Sequence, residues 1–235
     1  MKRKRISTYI IVLLTLSSLL GAPVPAIAQQ KGDTQKEELP EQPFYQGMTV
    51  GMDIFGILGK AFGSDFTSAD VSLEANIKNR YFPIVEMGYG STDTVDDETD
   101  IHYKTSAPYF RIGAGYNIFH KKPYLPGKLL AGARLGFSSF SYDVEAPTMN
   151  DPVWGETSIP VSYQGVKSNA AWLELVIEMR TNVYKNFHMG FSVRYKSLFN
   201  VKKAENSEPW YIPEFGKNKS SGFGITYNIA YQLPF

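Results

Sequence analysis

The stretch SGFGITYNIAYQLPF, residues 221–235, decides the reading of this chain. Phe223, Ile225, Tyr227, Ile229, Tyr231, Leu233 and Phe235 alternate there with Gly222, Gly224, Thr226, Asn228, Ala230 and Gln232. A period of two places the first set on one face of a strand and the second on the other. The same alternation recurs upstream. FHMGFSVRYKS (187–197) sets Met189, Phe191, Val193 and Tyr195 against Gly190, Ser192, Arg194 and Lys196. NAAWLELVIEMR (169–180), LLAGARLGFSS (129–139), YFRIGAGYNIF (109–119) and SADVSLEANIK (68–78) repeat it, and GMTVGMDIF (47–55) and PIVEMGYG (83–90) repeat it more weakly. No segment of the mature chain competes with a helical period. The pattern predicts an all-β chain of eight strands. Links at 79–81, 120–127 and 182–186 are short to moderate, and the connection around 59–66 is short. Those at 91–107, 143–168 and 200–220 are long and polar, as in an up-and-down meander with elaborated loops at one end.

Composition narrows the function classes. With no Cys, a disulfide framework, thiolate metal sites, a Cys nucleophile and a lipidated N-terminal Cys are excluded. A formal charge of +1 gives no basic footprint for nucleic acid. No run of eighteen apolar residues follows the first thirty positions, so no transmembrane helix is expected. The start has its own logic. MKRKR is a basic region, IVLLTLSSLLG an apolar one, and Ala26-Ile27-Ala28 a small-x-small cleavage site. Together they read as a secretory signal peptide over 1–28. Its removal takes away Lys2, Arg3, Lys4 and Arg5 and no acid, moving the formal charge from +1 to −3. Residues 29–45 read as a flexible periplasmic leader, and 46–235 as the barrel.

Alternation alone does not say which face is inside. The polar face carries Gly51, Gly88, Gly90, Gly113, Gly115, Gly132, Gly136, Gly190, Gly222 and Gly224. Glycine packs nothing on a solvated strand, whereas the lumen of an eight-stranded barrel only just accommodates side chains. The same face holds Asp53, Asp70, Glu74, Glu86, Glu174 and Glu178 against Arg111, Arg134, Arg180, Arg194 and Lys196. Acids and bases in near balance suit a buried charge network, since an unpaired buried charge costs several kcal/mol. The apolar face is aromatic near strand ends, at Phe110, Tyr116, Phe137, Phe187, Phe199, Phe223 and Phe235, which is the girdle pattern of membrane barrels. The expected architecture is therefore an eight-stranded antiparallel up-and-down transmembrane β-barrel with three long extracellular loops. The competing architecture is a soluble secreted barrel, similar to lipocalins, with the apolar face lining a ligand cavity.

A cleaved signal, alternating strands with long loops on one side, and a last strand Tyr227–Phe235 ending in Phe resemble outer-membrane β-barrels of Gram-negative bacteria. In size the chain is similar to the eight-stranded OmpX and OmpA-barrel class. KNRYFPIVEMGYG and PGKLLAGARLGF resemble an uncharacterised family of small outer-membrane proteins from Bacteroides-type bacteria. Pro234 departs from the usual ending, at a strand terminus where proline is tolerated. The resemblance implies a bacterial outer-membrane location, with membrane lipids and the barrel assembly machinery as partners. It lends no functional residues.

A filled lumen excludes an open porin and moves function to the loops. The expected role is a surface structural or binding protein, monomeric and without cofactor, meeting an envelope or extracellular ligand. Trp154, Tyr163, Trp210 and Tyr211 are the loop interaction candidates. Such rings also suit the membrane interface or loop-on-loop packing. A lipid-modifying enzyme is the other alternative. His102, near Asp100, Ser91 and Ser106, is the one histidine on the long-loop side, since His120 and His188 belong to the opposite end. Asp93, Asp96, Asp97, Glu98 and Asp100 offer oxygen ligands, without the ordered spacing of an EF-hand.

Overall fold

Hairpin chemistry begins the fold. Lys78 and Asn79 take φ of 54° and 51°, and Lys185 takes 46°. These left-handed positions give tight turns whose twist matches the flanking strands. Around the first turn, the Asn76 side-chain oxygen accepts a 3.0 Å hydrogen bond from the Asn79 amide. The computed structural model describes residues 43–56, 66–122, 125–146, 149–150, 158–159, 162–204 and 207–234. The signal segment 1–28 and nearly all of the leader lie outside the described residues.

Eight strands form the barrel: β1 (Tyr45–Asp53), β2 (Phe66–Ile77), β3 (Tyr81–Val95), β4 (His102–Asn117), β5 (Gly127–Glu145), β6 (Ser162–Tyr184), β7 (Phe187–Val201) and β8 (Ser221–Gln232). Each is antiparallel to its sequence neighbours, and β1 closes the ring on β8 through Thr49↔Gln232 to Asp53↔Asn228. Closure pairs the lower part of the seam, and residues 221–226 of β8 ladder only with β7 among the described residues. Gly47, at φ 105°, lies within the β1–β2 register shift between Tyr45 and Met48. Two-residue ladders, Met149–Asn150 with Ser158–Ile159 and Tyr211–Ile212 with Gly216–Lys217, sit in two of the upper connections.

The strands run further up than the alternation suggested. Most of the segment 91–107, expected as a long loop, is ladder up to Val95↔His102, leaving 96–101 as the connection. Likewise β5 reaches Glu145 and β6 begins at Ser162. The reason is a reversal of polarity along the wall. On the lower barrel Val71, Met87, Ile112, Leu135, Leu175, Ile177 and Val193 point outward and are exposed, while charged residues point inward. Above, the faces exchange roles. Tyr103, Ala107, Tyr109, Phe140, Tyr142, Ala170 and Trp172 point inward and form a buried cluster, and Lys104, Ser106, Ser139, Ser141 and Lys167 point outward. The upper wall thus has the polarity of a water-soluble barrel, and the lower wall the opposite.

Glycines set the bore. A side chain at Gly136 would collide with the Trp172 indole, and one at Gly88 with the Tyr109 ring. At these two positions glycine makes room for a specific large neighbour.

Candidate functional site

Every residue of the expected charge network is buried and faces the bore: Asp53, Asp70, Glu74, Glu86, Arg111, Arg134, Glu174, Glu178, Arg180, Arg194 and Lys196. Alternation puts them there, one inward position after another on β1 to β7. Their contacts form a chain along the barrel. Arg180 holds Glu74 at 2.5 Å and Glu178 at 2.7 Å. Arg134 bridges from Glu178, at 3.7 Å, to Glu86. Arg111 gathers Glu86 and Asp70 at 2.5 Å each and lies 3.6 Å from Glu174. Arg194 sits between Glu86 and Glu174, at 3.4 and 3.2 Å. The Trp172 indole N–H caps Glu174 at 2.7 Å, and the Tyr109 hydroxyl donates to Asp70 at 3.0 Å. Asp53 differs from the rest. Its carboxylate accepts the backbone amides of Phe55 at 2.9 Å and Tyr227 at 3.2 Å, fastening the β1–β8 seam. At the level of Glu74, Arg134 and Glu178 the remaining cavity is about 10 Å³, roughly the volume one water centre needs.

The upper mouth is occupied by the β7–β8 connection. Ile212 and Phe215 sit within the buried cluster, and the Phe215 ring meets Trp172 edge-on at 6.0 Å. Between them Glu214 reaches down to Arg111 at 2.6 Å and Lys196 at 2.9 Å, and Lys196 also donates to the Glu214 carbonyl. Glu214 is the one network member that sequence reasoning missed. It lies in a loop turn, at φ 66°, where no period of two exists to assign it a face. Gly90 gives it room, because a side chain there would touch the Glu214 amide at 2.9 Å. Tyr103 and Trp172 were also missed as mouth residues. Their signal was available: the apolar positions of β5 pass from Leu135 and Phe137 to Phe140 and Tyr142, a change of parity.

Trp210 and Tyr211 pack on this plug from above. Trp210 stacks on Tyr103 at 5.6 Å and 10°, and the Tyr103 hydroxyl donates to the Tyr211 carbonyl at 2.9 Å. Their outer sides line a cleft of about 660 Å³ with Asp96, Asp97, Glu98, Glu208, Lys217 and Lys219. Tyr163 stands apart, exposed near the start of β6, and Trp154 lies outside the described residues. Within the acidic turn Asp96 is a structural cap. It accepts the Thr99 hydroxyl at 2.8 Å and the amides of Thr99 and Glu98 at 3.0 and 3.2 Å. The Thr99 hydroxyl first, then the two amides, hold its carboxyl below the usual carboxylate range. Among the described residues no group of three or more His, Asp or Glu is disposed to hold a metal ion.

His102 lies on the outer wall between carboxylates. Its Nε2 is 2.6 Å from Asp93, which also pairs with Lys104 at 3.5 Å, and its Nδ1 is 3.9 Å from Glu145. Neither Ser91 nor Ser106 bonds to it among the described residues, and its acid partner is Asp93 rather than Asp100. His120 binds the Asn117 carbonyl at 2.9 Å, and His188 is buried at the lower end of β7.

These features define the class: an eight-stranded antiparallel barrel with charges inside, an apolar belt outside, and a last upper loop folded into its mouth. The chain belongs to the family described as a domain of unknown function, DUF6048, whose model matches residues 6–235. No curated protein matches it. The fold is shared with a major outer membrane protein from Thermus thermophilus, at TM-score 0.51 and 11% identity over 79% of this chain and 98% of that one. Neisserial surface protein A matches at TM-score 0.40 and 15% identity, over 80% of this chain and 99% of that one. Ail, the attachment invasion locus protein of Yersinia pestis, matches at 0.41 and 10%, over 80% and 98%.

Proposed function

We propose that this chain is an outer-membrane β-barrel, delivered by a cleaved signal peptide, that displays a ligand-binding surface on its upper loops and conducts nothing. The reversal of polarity along the strands carries this reading. Outward apolar residues on the lower wall end in aromatic rings at both edges: Tyr81 and Tyr89 on β3, Phe187 and Tyr195 on β7, Tyr231 and Phe223 on β8. Each pair is eight steps apart, roughly 27 Å along a strand and about 20 Å along the barrel axis once tilted by ~40°. That is close to the ~25 Å apolar band of membrane barrels. Above the band the outer face is polar, as a wall standing in water requires.

The lipocalin-like alternative needs an apolar cavity inside the ring. The described inner wall instead carries charges below and a cluster of buried aromatic rings above. Binding, rather than lipid-modifying chemistry, is favoured by His102, whose ring nitrogens face carboxylates with no serine bonded to them among the described residues. The cleft between 94–98 and 208–219 is the favoured ligand surface, its aromatic wall held rigid by Tyr103. The barrel assembly machinery and membrane lipids are the expected partners, and the barrel acts as a monomer.

The absence of cysteine makes the test clean. Single Lys217→Cys and Lys185→Cys variants are treated in intact cells with a membrane-impermeant maleimide. Lys217→Cys should label, and Lys185→Cys, in the β6–β7 turn, should label only after lysis. The opposite pattern, or labelling of a soluble protein, overturns the assignment.

A further inference from the structure

The apolar belt is not smooth. At its upper edge an open-sided furrow of about 1340 Å³ crosses the outer wall, larger than the ~300–1,000 Å³ of ordinary ligand pockets. It is lined by the small or flat residues Ala69, Pro108 and Ala171 and by the larger Met87, Tyr89, Phe110 and Phe137. Register explains the alignment, for Met87, Phe110, Phe137 and Ala171 follow one another across four strands. Pro108 adds a local defect. It has no N–H to give, and the β4–β5 ladder is interrupted between Thr105↔Tyr142 and Tyr109↔Ser138.

The rim above the furrow is polar and basic. Asn169 and Asn200 line its upper end. The Lys202 amide binds the Asn169 carbonyl at 2.9 Å, and Lys167 lies two residues above Asn169 on the same face. Both lysine side chains are exposed, and among the described residues neither forms an ion pair. Lys104, on β4, is already paired with Asp93, and Asp143, opposite Lys104 on β5, accepts the Gly165 amide at 2.7 Å. Two such cations over an apolar trough match an anionic headgroup over its own acyl chains.

We propose that this furrow retains one anionic, phosphate-bearing lipid of the upper leaflet, its acyl chains against Pro108, Phe137 and Ala171 and its phosphate at Lys167 and Lys202. The inference rests on the membrane reading above. The long lysine stems lie along apolar surface while their heads stay at the phosphate level.

The test uses the full mature chain, folded into micelles, with phosphatidylglycerol and phosphatidylcholine of identical chains as probes. Native mass spectrometry should find one phosphatidylglycerol held per barrel in preference to phosphatidylcholine. Losing both cations in Lys167→Gln/Lys202→Gln should weaken phosphatidylglycerol by about fivefold per lysine, about 25-fold in all, and leave phosphatidylcholine unchanged. Ala171→Trp should weaken both lipids by filling the furrow. Equal retention of the two lipids by the native chain, or an undiminished double variant, overturns the site. A gel shift on heating separates the two levels of failure. A barrel that folds and shifts yet holds no lipid overturns the furrow alone, and a chain that folds without detergent overturns the membrane reading with it.

Discussion

Glu214→Gln tests the idea that an ionic latch holds the mouth shut. The carboxylate receives Arg111 at 2.6 Å and Lys196 at 2.9 Å, and it is 5% exposed. Glutamine keeps the shape and an acceptor oxygen but removes the charge. Arg111 retains Asp70, Glu86 and Glu174, so its loss is partial. Lys196 loses the sole carboxylate within ion-pair distance among the described residues. Breaking a buried pair from one side costs about 3–5 kcal/mol, and the lower value applies because a hydrogen bond survives. Burial of Ile212 and Phe215, about 1.5–3 kcal/mol each, still favours the docked loop. The plug should therefore stay in place but open far more often. A loss of about 3 kcal/mol raises the open population by roughly 150-fold. Hydrogen exchange of the amides in 211–217 should accelerate by about that factor, with β2 and β3 unchanged. Adding Lys196→Met should recover much of the protection, because removing both partners of a buried pair is far cheaper than removing one. Unchanged exchange in 211–217, or equal acceleration throughout the barrel, refutes the latch.

Other expectations follow from single contacts. Gly136→Val forces a branched side chain against the Trp172 indole and should destabilise by about 1–3 kcal/mol, lowering the temperature at which the folded gel band disappears. Gly222→Ala, facing open space, should leave that temperature unchanged. In planar bilayers the native chain should give no discrete conductance steps, and regular single-channel openings would contradict the closed bore. Asp96 has a lowered folded pKa, so its cap contributes above the unfolded value and is lost as pH falls through the folded one. Thr99→Val removes the hydroxyl that contributes most, and the Asp96 titration midpoint followed by NMR should rise toward that of a free carboxylate.

What could be read from the chain follows from the strand period. Once Phe223 and Ile225 are assigned to one face, Gly222 and Gly224 have only the other, and the same reasoning placed Arg111, Glu174 and Arg194 in the bore. Two things escaped it. Alternation is blind to a change of phase, so Tyr103, Phe140 and Tyr142 were read as loop and loop edge although their spacing was regular. It is also blind wherever the backbone leaves the ladder, which hid Glu214. The polar face of β1 was read correctly, but not the role of Asp53, because a carboxylate serving backbone amides has the same sequence signature as one serving an arginine. Trp210 and Tyr211 were candidates for several roles, and only the Tyr103 ring beneath them shows how they are supported.

The ion chain also ties together distant parts of the sequence. Asp70 on β2, Arg111 on β4, Glu174 on β6 and Glu214 after β7 meet in one place, though their positions in the chain are far apart. In the membrane setting proposed above, a half-zipped sheet would present those charges without partners to a hydrocarbon interior, where each costs several kcal/mol. For the membrane barrel proposed above, insertion and ring closure are therefore expected to occur together. The last hairpin brings both the seam strand and the final carboxylate.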